Sequence, residues 1–120
     1  MDTVGLGVVG PSGVIGQKHV AEVAASPHAK LVAIHDMNQD AAREQADELG
    51  TKHYPELKAL LADPKIDAIT IATPHPTHRN IALQAFEAGK HVLTEKPLAA
   101  SPAESDEMIK AARDAGLTLG

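Results

Sequence analysis

The chain has 120 residues, enough for one domain with a single hydrophobic core. Its formal charge of −5, without a basic cluster, argues against binding to nucleic acid or to an anionic membrane surface. No apolar run approaches the ~20 residues that span a bilayer, so we expect no membrane partner. The absence of cysteine excludes disulfides and thiolate metal sites and is typical of a cytoplasmic protein, which we expect here.

The first predicted elements are a strand, a glycine-rich turn and a helix. The apolar run VGLGVV (residues 4–9) leads directly into GPSGVIG (residues 10–16). Gly10 allows a tight turn, Gly13 lets the backbone approach a pyrophosphate, and Gly16 lets the helix pack close to the sheet. The amides that follow open a helix whose N-terminus attracts an anion. This order predicts a site for the pyrophosphate of a dinucleotide.

An acid follows the second predicted strand (residues 31–34). Asp36 stands about 20 residues after Gly16, the spacing at which a carboxylate binds the ribose hydroxyls of a dinucleotide. A carboxylate there repels a 2′-phosphate, and neither Met37 nor Asn38 supplies a compensating cation, so we expect NAD rather than NADP. The alternative is that Asp36 is a solvated residue that caps the next helix, although Asn38 is better placed for that role.

Strands and helices alternate along the rest of the chain. Apolar runs at residues 31–34, 68–72 and 91–93 show little alternation of polar and apolar residues, which is typical of parallel strands covered on both faces. Three glycines stand where helix C-terminal caps belong, namely Gly50, Gly89 and Gly116. We predict one domain, residues 1–120, with five helices and six strands, the last at residues 117–120. Right-handed crossovers then give an α/β, doubly wound parallel sheet (a Rossmann fold) of order 3-2-1-4-5-6.

Ligands of such sheets bind at the carboxyl ends of the strands. Strand four ends in IATPHPTH (residues 71–78) and strand five ends in TEKP (residues 94–97). The nicotinamide half of a dinucleotide would lie next to Thr73, Pro74, His75, Glu95 and Lys96. A lysine at a strand end can bind a substrate oxygen and stabilise negative charge that develops on it, although it can also be an ordinary surface cation.

A metal site is the less favoured interpretation of the histidines near strand four. His75 and His78 are close enough in sequence to form a pair, but no third ligand stands at suitable spacing. We therefore predict that the chain has no metal site.

The run ATPHPTHRNIALQAFEAGKHVLTEKPLA (residues 72–99) closely resembles the corresponding segment of the Gfo/Idh/MocA family, which includes glucose–fructose oxidoreductase and inositol dehydrogenase. The resemblance extends over the whole chain, and the pairing of AGKHV with EKP is its most specific part. It implies a two-domain, NAD(P)-dependent oxidoreductase that acts on a sugar, a polyol or a related compound.

The resemblance also implies roles for individual residues. The pyrophosphate would be held by Gly10, Ser12, Gly13, Val14 and Ile15. Asp36 would bind the ribose, and the nicotinamide side would be lined by Thr73, Pro74, His75, His78 and Glu95. Lys96 matches the family's EKP lysine, which contacts the substrate near the transferred hydride.

The chain departs from the expected pattern at two points. Its glycine loop reads G-x-x-G-x-x-G, one residue longer than usual between the first two glycines, so that Ser12 adds a possible hydroxyl donor. The chain also stops at Gly120, where the family continues into a second domain with the substrate pocket, the oligomer contacts and the proton-transfer partners of the lysine. We therefore expect a truncated domain that binds dinucleotide without turnover and that self-associates through residues 117–119.

Two other classes of function remain open at this stage. The first is a stand-alone, non-catalytic module that binds a dinucleotide or senses redox state. The second is an α/β interaction domain that has lost ligand binding.

Overall fold

The computed structural model describes residues 4–10, 14–72, 78–94 and 102–119. Strands and helices alternate along these ranges. The strands are β1 (Val4–Val9), β2 (Ala29–His35), β3 (Lys52–His53), β4 (Ala68–Ile71) and β5 (His91–Thr94). The helices are α1 (Val14–Ala25), α2 (Gln39–Leu49), α3 (Leu57–Leu61), α4 (His78–Glu87) and α5 (Pro102–Ala115).

The five strands form one parallel sheet of order β3-β2-β1-β4-β5. β1 lies at the centre and pairs with β2 on one side and β4 on the other. The direction in which successive strands are added reverses there, which makes the space beyond the carboxyl ends of β1 and β4 the topological switch point of the sheet. The predicted α/β Rossmann architecture is confirmed over these five strands.

The predicted sixth strand is not seen among the described residues, so the order 3-2-1-4-5-6 is confirmed for its first five strands. Leu119 forms an isolated parallel bridge with Val92 of β5, and the Val92 amide donates to the Thr118 carbonyl over 3.0 Å. α5 extends to Ala115, and Gly116 then turns the chain with φ 69°. Among the described residues after this turn, Leu119 is the residue that bridges β5.

The core has two layers, one on each face of the sheet. The larger layer, beneath α3, α4 and α5, includes the fully buried Leu60, Ile69, Ile71, Val92 and Met108. The smaller one, beneath α1 and α2, includes Val8, Val20, Ile34, Ala42 and Ala46. Each buried Val, Ile or Leu side chain contributes about 1.5–3 kcal/mol of transfer free energy, so aliphatic residues supply most of the core, to which Phe86 adds a buried aromatic ring.

β5 is less covered than its apolar sequence predicted. Val92 is buried, whereas Leu93 points to the opposite face and is 40% exposed. Leu93 pairs with Thr70 of β4, so the exposed side chain lies on the face of the sheet that carries α1 and α2. Coverage on both faces is therefore confirmed for β4 and was wrong for β5.

The predicted helix ends are confirmed. The Asn38 side chain accepts a hydrogen bond from the Ala41 amide over 3.2 Å and caps α2. The three predicted cap glycines have left-handed backbones, with φ of 66° at Gly50, 79° at Gly89 and 69° at Gly116.

The amino ends of the strands carry a polar network centred on a buried carboxylate. Asp63 accepts hydrogen bonds from the Tyr54 hydroxyl over 2.8 Å and the Lys65 amide over 2.9 Å, and the Lys52 ammonium lies 3.4 Å away. The Lys65 amide, followed by the Tyr54 hydroxyl, holds the pKa of the Asp63 carboxyl below its usual value. The same hydrogen bond to Asp63 raises the pKa of Tyr54 above its usual value.

A buried lysine fixes the loop that contains this carboxylate. The Lys90 ammonium donates to the Asp63 carbonyl over 3.0 Å and to the Ile66 carbonyl over 2.6 Å. Both bonds cross from the start of β5 to the segment before β4. Lys90 therefore holds that segment against the sheet.

β1 approaches the same segment too closely for any side chain at residue 5. A Cβ added to Gly5 would overlap the carbonyl oxygen of Lys65. The Gly5 amide donates to the Asp67 carboxylate over 2.8 Å, and the Asp67 amide donates back to the Gly5 carbonyl over 2.8 Å. This glycine is required by contact with the neighbouring backbone. We call the surface formed by Gly5, Asp63, Lys65, Asp67 and Lys90 the amino edge.

Candidate functional site

Backbone hydrogen bonds join the opposite, carboxyl ends of the three central strands. The Gly10 amide, just after β1, donates to the carbonyl of His35, the last residue of β2, over 2.8 Å. The Ala72 amide, just after β4, donates to the carbonyl of Val9 over 2.8 Å. The segments that leave these strands therefore start side by side. We call this surface, from Asp36 through Gly10 to Ala72, the carboxyl edge.

The glycine turn begins in a conformation that other residues rarely adopt. Gly10 is buried and has φ 88°, in the region that disfavours a Cβ. α1 begins at Val14, so the chain passes from a central strand into a helix N-terminus within a few residues. This is the strand–turn–helix arrangement that the glycine pattern predicted.

The N-termini of α1 and α2 differ in charge. α2 has its own side-chain cap, Asn38, and an acid, Asp40, in its first turn. α1 has no acidic residue in its first turn. The positive end of the α1 dipole is therefore not offset by a carboxylate of its own first turn, which favours an anion from outside the helix.

Asp36 lies at the end of β2 in a loop that is ordered by its own side chain. The residue is half-buried, and its Oδ1 accepts a hydrogen bond from the Asn38 amide over 2.9 Å. Asn38 in turn caps α2 through Ala41. The interpretation of Asp36 as the helix cap was therefore wrong, because Asn38 occupies that position.

A second side chain ties the Asp36 loop to the neighbouring loop after β3. The Gln39 amide nitrogen donates to the Asp36 carbonyl over 3.2 Å and to the Pro55 carbonyl over 3.0 Å. Beside it, the His35 Nδ1 lies 2.9 Å from the Tyr54 carbonyl. No sequence pattern predicts this role for Gln39, because a glutamine at a helix start belongs to no motif and its acceptor Pro55 is distant in sequence.

The structure describes part of the predicted site. Gly10 and Asp36 are described and are brought to one edge by the bond from Gly10 to His35. The backbones of Val14 and Ile15 open α1, and that of His78 opens α4. The other predicted site residues lie outside the described ranges, namely Ser12, Gly13, Thr73, Pro74, His75, Glu95 and Lys96.

The strands that precede those remaining residues lie side by side. Ile71, at the end of β4, pairs in register with Thr94, at the end of β5. The carboxyl ends of β4 and β5 therefore lie side by side. This common starting position is the one that the sequence predicted for the nicotinamide half.

The described residues show neither a metal-ligand cluster nor a membrane-spanning helix. Within residues 4–10, 14–72, 78–94 and 102–119, no group of three or more potential metal ligands comes together. Over the same part of the chain, no helix has both the length and the apolar character needed to cross a membrane. Of the two histidines considered as a metal pair, His75 lies outside these ranges.

A parallel sheet that reverses at β1, a glycine turn at that point and an acid at the end of β2 define the class of dinucleotide-binding α/β domains. Comparison with known families agrees. The sequence model of the GFO_IDH_MocA family, described as an oxidoreductase family with an NAD-binding Rossmann fold, matches residues 4–120. The chain belongs to this family.

Individual relatives are similar over nearly the whole chain. Inositol 2-dehydrogenase/D-chiro-inositol 3-dehydrogenase of Halalkalibacterium halodurans is 35% identical over 98% of this chain and 34% of its own length. The crystal structure of GenD2 from gentamicin A biosynthesis, in complex with NAD, is 32% identical with a TM-score of 0.94, covering 100% of this chain and 34% of GenD2. KijD10, a 3-ketoreductase from Actinomadura kijaniata solved with NADP and TDP-benzene, is 28% identical with a TM-score of 0.91, covering 98% of this chain and 36% of KijD10.

The chain is much shorter than these relatives. The chain spans about a third of their length, 34% of the inositol dehydrogenase and 34% of GenD2. It corresponds to their NAD-binding Rossmann part. The solved relatives include one bound to NAD and one bound to NADP, so the family accommodates either dinucleotide.

Proposed function

We propose that this chain binds NAD along the carboxyl edge, as the nucleotide-binding part of an oxidoreductase that transfers hydride to or from a sugar, a polyol or a related carbinol. The observation that carries the proposal is the hydrogen bond from the Gly10 amide to the His35 carbonyl. It holds the glycine turn next to Asp36, so one extended ligand can reach both. Membership of the oxidoreductase family supports the same conclusion.

The binding role of each region follows from its charge. The N-terminus of α1, which has no acid in its first turn, would attract the pyrophosphate together with Ser12 and Gly13. Asp36 would accept hydrogen bonds from the two ribose hydroxyls. Hydrogen bonds to charged groups contribute about 1.5–3 kcal/mol each, so this carboxylate is a major determinant of affinity.

The same carboxylate supports NAD over NADP. A 2′-phosphate would bring negative charge next to Asp36, and the residues that follow it, Met37 and Asn38, carry no positive charge. Since relatives are found with each dinucleotide, the choice in this chain depends on its own residues. Asp36 is the acid at the position where that choice is made.

Lys96 is the catalytic residue of this proposal. NAD supplies the hydride acceptor when it is bound. A lysine just beyond the end of β5 would contact the substrate oxygen and stabilise its developing negative charge, next to Thr73, Pro74, His75, His78 and Glu95. Hydride transfer also needs an acid or base near that oxygen and the exclusion of water. The match covers 34% of the inositol dehydrogenase, so we propose cofactor binding for these 120 residues and hydride transfer for the whole protein.

The alternative is a stand-alone, non-catalytic module that binds a dinucleotide or senses redox state. It shares the proposed dinucleotide site at the carboxyl edge with the first candidate and differs from it in assigning no substrate chemistry to Lys96. The coding sequence beyond residue 120 distinguishes the two candidates. An open frame of about 200 further codons favours the dehydrogenase, because domains of this kind have 100–200 residues, and an immediate stop favours the module.

Titration with NADH tests the proposed binding. The chain has no tryptophan, so the fluorescence of NADH itself can be followed without interference from indole. We expect saturable binding of NADH and at least about tenfold weaker binding of NADPH, a difference of ~1.4 kcal/mol. Asp36→Ala should remove most of that difference. Absence of any response to NADH at millimolar concentration, with folded protein verified by circular dichroism, would contradict the proposal.

A further inference from the structure

The side chain of Gln39 connects two loops that both border the proposed ribose site. Its amide nitrogen has two hydrogens, and the structure places one acceptor for each, the carbonyl of Asp36 at 3.2 Å and the carbonyl of Pro55 at 3.0 Å. Asp36 follows β2, and Pro55 follows β3. One side chain therefore bridges the ends of two adjacent strands, and we call this bridge the Gln39 clamp.

The clamp acts on the main chain of the residue that would select the dinucleotide. The Asp36 carbonyl is fixed by Gln39, while the Asp36 carboxylate accepts from the Asn38 amide over 2.9 Å. The backbone and the side chain of Asp36 are thus each held by a separate hydrogen bond. A group that is ordered before the ligand arrives loses less conformational entropy on binding.

Other bonds connect the same two strand ends, so the clamp is not needed to hold β3 in the sheet. The Tyr54 amide donates to the Ile34 carbonyl over 3.0 Å, and the His35 ring lies 2.9 Å from the Tyr54 carbonyl. The bond from Gln39 to Pro55 is exposed to solvent, where water competes with it. Loss of the Gln39 amide should therefore affect the position of Asp36 more than the stability of the domain.

We infer that Gln39 is a positioning residue for cofactor selection, which acts by holding Asp36 where its carboxylate meets a free 2′-hydroxyl and repels a 2′-phosphate. The inference rests on the proposed binding of NAD at this edge. Without the clamp, the Asp36 loop must be ordered during binding, and this cost lowers the affinity for NADH. NADPH gains nothing from Asp36, so its affinity does not fall with the loss of the clamp.

Gln39→Met tests this with a matched control. Methionine keeps the length of the side chain and removes both donors, and Gln45→Met makes the same substitution on the same helix, at a residue that is also half-buried. We expect Gln39→Met to raise the Kd for NADH about fivefold, which is ~1 kcal/mol, and to leave the Kd for NADPH within about twofold. Gln45→Met should leave both constants unchanged. Gln39→Ala serves as a second variant if Gln39→Met folds poorly, because alanine has the highest helix propensity.

A double-mutant cycle with Asp36→Ala separates positioning from a general loss of structure. If Gln39 acts through Asp36, Gln39→Met has no further effect on NADH once Asp36 is alanine. The inference would be overturned if Gln39→Met weakened NADH binding equally in the unmodified chain and in Asp36→Ala. It would also be overturned if Gln39→Met alone weakened the binding of NADH and of NADPH equally. Failure of the unmodified chain to bind NADH would overturn the proposed function as well, whereas tight NADH binding that is insensitive to Gln39 would overturn the clamp alone.

Discussion

The two edges of the sheet use polar residues in different ways. At the amino edge, the polar groups bond to one another: the Asp63 carboxylate accepts from Tyr54 and Lys65, and Lys90 donates to two nearby carbonyls. At the carboxyl edge, backbone bonds join the strand ends, and α1 begins without an acid in its first turn. The bonds of the amino edge stabilise the fold, and the difference between the edges supports our proposal that the carboxyl edge binds the ligand.

This difference separates stability from binding in a testable way. Substitutions at the amino edge should lower the free energy of unfolding and leave the NADH affinity of the folded protein unchanged. Substitutions at the carboxyl edge should weaken the binding of NADH and leave the free energy of unfolding unchanged. A residue that changes both equally would break the comparison.

The largest expected effect is that of Gly5→Ala. Its new Cβ overlaps the Lys65 carbonyl oxygen, so the backbone must shift, and the paired bonds between Gly5 and Asp67 are disturbed. We expect a loss of about 3 kcal/mol in the free energy of unfolding, measured by urea denaturation. Gly50→Ala is the control, since a Cβ there meets no atom and its cost comes from the left-handed backbone alone, about 1 kcal/mol. Equal losses for the two variants would show that the close approach at Gly5 is not a constraint.

The next effect is that of Asp63→Asn, expected to cost about 2 kcal/mol at neutral pH because three donors lose a charged acceptor. The pKa of Asp63 is lower in the folded protein than in the unfolded chain. Its contribution is therefore fully present above the unfolded pKa of about 4 and is lost as the pH falls through the lower, folded pKa. Urea denaturation from pH 6 to pH 2 should show a smaller decline in stability for the variant. Parallel curves for the two proteins would contradict the role of Asp63.

Asp36 lies at the carboxyl edge, so Asp36→Ala should lower the NADH affinity and leave the stability nearly unchanged. We expect NADH binding to weaken by at least tenfold, ~1.4 kcal/mol or more, because the ribose loses a charged acceptor. The free energy of unfolding should change by less than about 0.5 kcal/mol, as is usual for partly exposed surface positions. Fluorescence titration and urea denaturation of the same sample measure the two quantities. A loss of stability without a loss of NADH affinity would show that Asp36 stabilises the fold and does not bind the ligand.

The smallest effect is that of Tyr54→Phe, expected to cost about 1 kcal/mol through the lost hydrogen bond to Asp63. The chain has one tyrosine, so its ultraviolet absorbance titrates Tyr54 alone. The hydrogen bond to Asp63 raises the pKa of Tyr54, so its stabilising contribution is present at neutral pH and is lost as the pH rises through the raised, folded pKa. We expect the absorbance midpoint to move toward the ordinary value in Asp63→Asn. An unchanged midpoint would mean that the two groups do not interact.

The sequence predicted the features that depend on local patterns. Apolar runs indicated parallel strands, glycines indicated helix ends, and Asn38 was the better cap; the structure confirms each. The sixth strand was predicted from an apolar ending, but pairing also depends on where the chain emerges after Gly116, which is a three-dimensional property. The uncovered face at Leu93 has the same origin, since coverage depends on which helices cross β5.

Features that depend on contacts distant in sequence could not be predicted. Gln39 reaches Pro55, and Lys90 reaches Asp63, without a periodic pattern or spacing that marks either pair. Lys90 lies in the AGKHV segment, which served to recognise the family but gave no reason for the lysine. The structure supplies that reason, because the ammonium binds two carbonyls before β4.

An NMR titration of the isotope-labelled chain with NAD measures the central claim most directly, because backbone amide shifts report each edge separately. We predict saturable shifts at the amides of Gly10, Asp36 and Asn38, and no shifts above background at those of Gly5 and Lys65. Shifts confined to the amino edge, or the absence of saturable shifts on a well-dispersed spectrum, would contradict the assignment of the ligand to the carboxyl edge.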